Sequence, residues 1–181
     1  MSRLGRLLGT LRGWDRLPGS FDGELAAGER VLAVGSVASG GHLVVTTLGA
    51  WVPDGEQRHR RIGWQWVSKA TWDRDTLVIV EAEQVGTAGE AVLLADRPAR
   101  RFPLAEAGRV PEAARERVTL SIRTSQRREL PGGGVWFVQR KLPGSGAVVL
   151  QVRPEPGVDD AAVRELAAGV AERLRQLRER D

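Results

Sequence analysis

Residues 159–180 read DDAAVRELAAGVAERLRQLRER, and this stretch decides the fold. Val163, Leu166, Ala167, Val170, Leu174 and Leu177 recur at helical spacing and make one apolar stripe. Asp159 stands where an N-cap is wanted, and Val158 is placed to staple onto Val163. Arg173, Arg175, Arg178 and Arg180 load the C-terminal end, the sign the helix dipole favours there. The spacing therefore predicts an amphipathic helix over 159–180. Such a helix needs an apolar surface to lie on, and residues 31–153 supply one as a long run of short strand patterns broken by turns.

Arg30 to Ala38 is an apolar run ended by Ser39-Gly40-Gly41, a hairpin signal. His42 to Val52 is rich in β-formers and closes on Pro53-Asp54-Gly55, where Pro presets φ and Gly accepts a positive one. In Arg61 to Val67, Ile62, Trp64 and Trp66 share a strand face by period-2 alternation. Thr76 to Glu83 reads as a strand, residues 84–90 as a loop, and Ala91 to Ala95 and Arg101 to Leu104 as short strands. Pro111 opens a short helix through Arg117, because its missing N–H is not needed at a helix start. Val118, Leu120 and Ile122 then alternate with polar residues as a strand would. Val135 to Leu142 and Ala147 to Arg153 are the last strands, joined by Pro143-Gly144-Ser145-Gly146. Gly169, inside the closing helix, suggests a close approach to the sheet.

The chain has 181 residues and a net charge of +4. All of its basic residues except Lys69 and Lys141 are arginine, an excess that GC-rich codons also produce. One domain, 21–181, is expected after an N-terminal segment, 1–20. Cysteine is absent, which excludes disulfides, thiolate nucleophiles and Cys-type zinc sites. Met1 to Gly19 lacks an apolar stretch of secretory-signal length, and no run reaches the roughly 20 residues of a membrane span. The expectation is a soluble, cytoplasmic protein. Residues 3–17 are basic and amphipathic: Leu4, Leu7, Leu8, Leu11 and Trp14 follow helical spacing, with Arg3, Arg6, Arg12 and Arg16 largely elsewhere on the wheel. That pattern suits an anionic membrane surface or a partner protein.

Five segments carry a resemblance. They are Gly28-Glu29-Arg30-Val31-Leu32-Ala33, Leu43-Val44-Val45-Thr46-Thr47, Arg61-Ile62-Gly63-Trp64, Ala70-Thr71-Trp72-Asp73-Arg74-Asp75 with Leu77, and Arg115-Glu116-Arg117-Val118 with Ser121-Ile122. In this order the chain resembles an uncharacterised actinobacterial protein family with a bacterial pleckstrin-homology-like (PH-like) fold, over roughly residues 23–178. The resemblance implies a mainly β (α+β) protein: an antiparallel barrel of about seven to eight strands closed by the C-terminal amphipathic helix. It implies no activity. PH domains that bind phosphoinositides usually carry Lys and Arg around the first hairpin, and Ser36-Val37-Ala38-Ser39-Gly40-Gly41 has none, so that role is not transferred.

Residue types that carry chemistry are sparse. His42 and His59 are the only histidines and flank one hairpin, but two ligands without a third do not hold a metal. Glu81 and Glu83 share a strand face and read as a solvated strand end rather than an acid–base pair. Gly35 and Gly40 have P-loop spacing, but Gly41 stands where Lys is required. Ser145 sits in a tight turn that does not match a nucleophile elbow. The six tryptophans, without any tyrosine, are expected mainly in the core. Arg123, Arg127, Arg128, Arg140, Lys141 and Arg153 come from three successive strands, and if paired these could put a positive stripe on one sheet face.

The expected function is therefore a non-enzymatic interaction or scaffold module, free of metal and cofactor. A protein is the first partner, and residues 3–17 offer a peripheral attachment to an anionic membrane. Nucleic acid or another polyanion on the basic stripe is the alternative.

Overall fold

A computed structural model describes residues 16–55 and 58–180. The segment bearing Arg3, Leu4, Arg6, Leu7, Leu8, Leu11, Arg12 and Trp14 lies outside them. The first strands are β1 (Val31–Val37), β2 (His42–Thr46), β3 (Gly49–Pro53) and β4 (His59–Gly63). A 3-10 turn at Trp64–Trp66 leads into β5 (Val67–Asp73), β6 (Thr76–Ala88), β7 (Ala91–Asp96) and β8 (Arg100–Glu106). Helix α1 (Val110–Ser121) follows, then β9 (Ile122–Leu130), β10 (Gly133–Lys141), β11 (Val148–Pro154) and α2 (Asp160–Arg178).

All the strands join one hydrogen-bonded sheet in the order β4-β3-β2-β1-β8-β6-β7-β11-β10-β9, with β5 on the second edge of β6. Every pairing is antiparallel except β7 with β11. The long β6 is the spine. Its first half lies between β5 and β8, and its second half pairs with β7 after an irregularity at Gln84/Gly86. The fold is thus mainly β with a C-terminal helix, as expected, but eleven strands among the described residues replace the expected seven to eight. The sheet runs from an edge at β4 to an edge at β9 and does not close into a barrel.

Two cores follow from this bend. The first gathers Leu43, Val45, Val52, Ile62, Trp64, Val67, Leu77, Ile79 and Phe102 against Val110, Ala113 and Ala114 of α1. The second gathers Leu93, Val135, Phe137 and Val152 against Val163, Ala167 and Ala171 of α2. The helix expected to plug the first curl therefore covers the second, and α1 does the first job. The α2 N-cap forms as expected, with Ala162 N–H donating to Asp159 Oδ2 at 2.9 Å. Gly169 approaches nothing and is exposed.

Four local expectations change for physical reasons, the first being that residues 84–88, expected as part of a loop, continue β6 because they pair with β7. The run 42–52 is a hairpin, because the Thr46 hydroxyl takes the Leu48 and Gly49 N–H groups (3.2 and 3.1 Å) and turns the chain. A Cβ on Gly49 would stand 2.4 Å from Ile62 O, so only Gly fits this β3–β4 crossing. Trp64 and Trp66 leave the strand for the 3-10 turn. The segment 118–121 stays helical, its alternation lost to the α1 packing of Val118 on the first core.

Val163 is 1% exposed and Leu177 is 52% exposed. Replacing Val163 by Ala should cost about 2 kcal/mol through transfer and cavity effects, and Leu177→Ala under about 0.5 kcal/mol. Urea unfolding monitored by circular dichroism reads both.

Candidate functional site

The six basic residues expected on one face divide between two. Adjacent residues on a strand face opposite ways, and the β9–β10 register slips between Gln139 and Arg140, leaving Arg123 out of step. Arg127 and Arg153 lie opposite Trp136 on its two neighbouring strands, and Arg140 shares that face of β10. Arg123 and Arg128 line clefts against α2, and Lys141 follows Phe137 and Gln139 onto the same side by alternation.

On the first face the arginines are engaged. Arg127 grips Glu155 with two hydrogen bonds, 2.7 and 2.8 Å, and also meets Glu129. Glu155, fixed by Arg127 and by the Gly134 N–H, titrates at about 2. Arg140 is 4% exposed and donates to Trp64 O (3.1 Å), Val67 O (2.8 Å) and Ser121 Oγ (2.6 Å). It thus ties the 3-10 turn and the end of α1 to β10. Burial, then the charge of Arg153, draws its guanidinium down to about 10, and it stays a cation at neutral pH.

On the second face a groove runs along the flank of α2 beside β9. Its clefts share residues end to end: Val148, Leu150, Leu174 and Leu177 at one end, then Phe137 and Val170, then Leu130 and Leu166. The stretch of the groove between α2 and β11 holds about 340 Å³. Arg123, Arg128 and Arg173 border it and have no carboxylate partner among the described residues, while Arg178 pairs with Glu90. Beyond β9 no further strand is present among the described residues. Sequence reading missed Arg173, Val170 and Leu174 as groove residues, since their helical stripe is broad enough to serve both the core and its margin.

The other candidates have structural partners. Glu81 is bidentate with Arg60 (2.8 and 2.8 Å), and Glu83 meets Arg97. The Ser145 hydroxyl accepts from Ala147 N–H within its turn. His42 and His59 sit on β2 and β4 with β3 between them, and no group of three or more acidic or His ligands occurs among the described residues. Of the tryptophans, Trp51 and Trp64 are buried and Trp72 is exposed.

An unexpected network covers the outer face of β2–β4. Glu29, in the coil before β1, accepts from the Thr46 hydroxyl (2.5 Å), Trp51 Nε1 (3.0 Å), Ala26 N (2.9 Å) and Arg61 Nη1 (2.5 Å). Burial works to raise its carboxyl, and these bonds outweigh it, holding the group below 4.5. Phe21 stacks edge-on against Trp51, and Asp22 accepts from the His59 N–H at 2.8 Å.

Compared with known protein families, with curated proteins and with solved structures, the chain matches none of them. No helix among the described residues is long and apolar enough to cross a membrane.

Two measurements test these contacts. Arg140→Met removes the bonds to Trp64 O, Val67 O and Ser121 Oγ and should cost about 2–4 kcal/mol in urea unfolding. Glu29, with its folded pKa below the usual 4.5, adds stability above that pH and loses it as pH falls through the lower folded value. The gap in urea midpoint between wild type and Glu29→Gln should therefore be wide at neutral pH and narrow in acid.

Proposed function

We propose that the protein is a non-enzymatic cytoplasmic interaction module that captures an extended, apolar and acidic segment of a partner protein in the α2–β9 groove. The observation that carries this reading is the union of three features. There is an apolar channel under α2, an edge strand with no neighbour among the described residues, and beside them three arginines without a carboxylate among those residues. An added strand would take main-chain hydrogen bonds from β9 and send alternate side chains into the channel. Acidic residues on that segment meet Arg123, Arg128 and Arg173. Among the described residues, Glu165 is the one acidic side chain on the adjoining cleft around Arg128 and Arg173.

The scaffold proposed for this module is PH-like in its first half. Seven antiparallel strands in the order β4-β3-β2-β1-β8-β6-β5, followed by α1 on their core, support that reading. Strands β7, β9, β10 and β11 and helix α2 are then an addition to it. Nucleic acid is the weaker reading. The same three arginines serve it, but the aromatic Trp136 that could stack a base lies on the opposite sheet face. Attachment to a membrane through Leu4, Leu7, Leu8, Leu11 and Trp14 rests on the sequence pattern.

Selection of displayed peptides on the full chain should enrich segments that alternate apolar and acidic residues. The double variant Arg128→Glu/Arg173→Glu should weaken the best of them at least about tenfold. Peptides without acidic enrichment, or equal binding to the double variant, would overturn the proposal.

A further inference from the structure

The opposite face of the β7-β11-β10-β9 half of the sheet carries a different kind of site. Trp136, Val138, Arg140, Gln151 and Arg153 look across at Gln65 of the 3-10 turn and Ser68 of β5. Between them is a cavity of about 130 Å³, with Ser125 on its exposed side. Two guanidinium groups face this space. Among the described residues, the nearest carboxylate contact to either is a single long one, Arg153 to Asp96 at 3.4 Å.

Two of the residues that line it carry polar atoms left without a partner among the described residues. The terminal nitrogens of Arg140 are used on Trp64 O, Val67 O and Ser121 Oγ, but its Nε–H is buried without a partner among the described residues. Gln65 Oε1 is also buried and unpartnered among them, and turning that amide over would present N–H instead. Gln151, 4% exposed, donates one amide hydrogen to Gln65 O at 2.9 Å. Arg153 touches Ser68 Oγ and is 30% exposed, so it can swing toward an occupant. A packed seam gains nothing from two neighbouring cations of which, among the described residues, only Arg153 meets a carboxylate, since like charges repel and the unmade hydrogen bonds are lost to the fold.

We propose that this seam cavity binds a small oxyanion of the phosphate class, free or as the terminal phosphoryl group of a small ester. Arg153, the Arg140 Nε–H and the Ser125 hydroxyl are its donors, through charge-assisted hydrogen bonds. The cavity is far smaller than the roughly 300 Å³ at which pockets for drug-sized ligands begin, which excludes a whole nucleotide. All three donors lie on β9–β11, and because Arg140 also holds the carbonyls of Trp64 and Val67, an anion on them would stiffen the contact between the two halves.

Titration calorimetry on the full chain tests this with inorganic phosphate and with glycerol phosphate, ionic strength being held by sodium chloride. One saturable site is expected, together with a rise in melting temperature that follows its occupancy. Saturation by both ligands assigns the site to a terminal phosphoryl group, and saturation by phosphate alone assigns it to the free ion. Arg153→Gln, which removes a partly exposed cation and not a core contact, should weaken binding about tenfold or more. Arg123→Gln, on the groove face, should leave it unchanged and serves as the control for diffuse surface charge. No saturation up to about 20 mM of either ligand, well above useful affinities, would overturn the proposal. Equal weakening by the two variants would do so too.

Discussion

The buried Arg140 guanidinium is the contact on which the joining of the two halves depends. It sits on β10 and reaches residues 76 and 73 positions earlier in the chain, the carbonyls of Trp64 and Val67. The first opens the 3-10 turn, where it also accepts the Val67 N–H, and the second follows directly after the turn. A third bond, to Ser121, fixes the point where α1 gives way to β9. Bringing a cation out of water is costly, and its bonds here go to neutral oxygens rather than to a carboxylate that would offset the cost. The contact therefore sets geometry more than it adds stability. A hydrophobic residue of the same size would fill the volume but would not specify which turn lies against which strand.

The bent strand β6 is the covalent counterpart of that latch. One strand serves both halves of the sheet, so neither core has its own complete set of strands. The first core takes the apolar residues near its start, Leu77 and Ile79, and the second takes Ala88 near its end. The register of β6 with β7 shifts between Gln84 and Gly86, and the Arg164 guanidinium lies beside Gly86 at a distance that a Cβ would also tolerate, 3.4 Å. Small residues then let α2 sit close: Ala88 and Ala91 on the sheet meet Ala167 and Ala171 on the helix.

Much of this is readable from the residues alone. The closing helix, its Asp159 cap and most strand positions follow from spacing and turn chemistry, because those depend on neighbours a few residues away. The bulge between β9 and β10 is not readable, since a register slip depends on the partner strand. That single slip, with the pleat, divides Arg123 and Arg128 from Arg127, Arg140 and Arg153. The fate of Val118 and Leu120 is equally hidden, because their alternation fits a strand until α1 finds the first core to lie on. The Glu29 network joins a coil residue to side chains 17 to 32 positions away, and no local pattern announces it.

The parallel pair β7–β11 has a consequence for how the chain is made. Gln151 and Val152 sit beside Val92 and Leu93, so β7 waits for a neighbour some sixty residues downstream. On a ribosome working from the N-terminus, the first core can close once α1 has emerged. The apolar side of β7 meanwhile stays open to water until β11 and α2 arrive. The nascent protein thus passes through a half-built stage with Leu93 and Ala91 uncovered, and this is the interval in which a chaperone would find a grip.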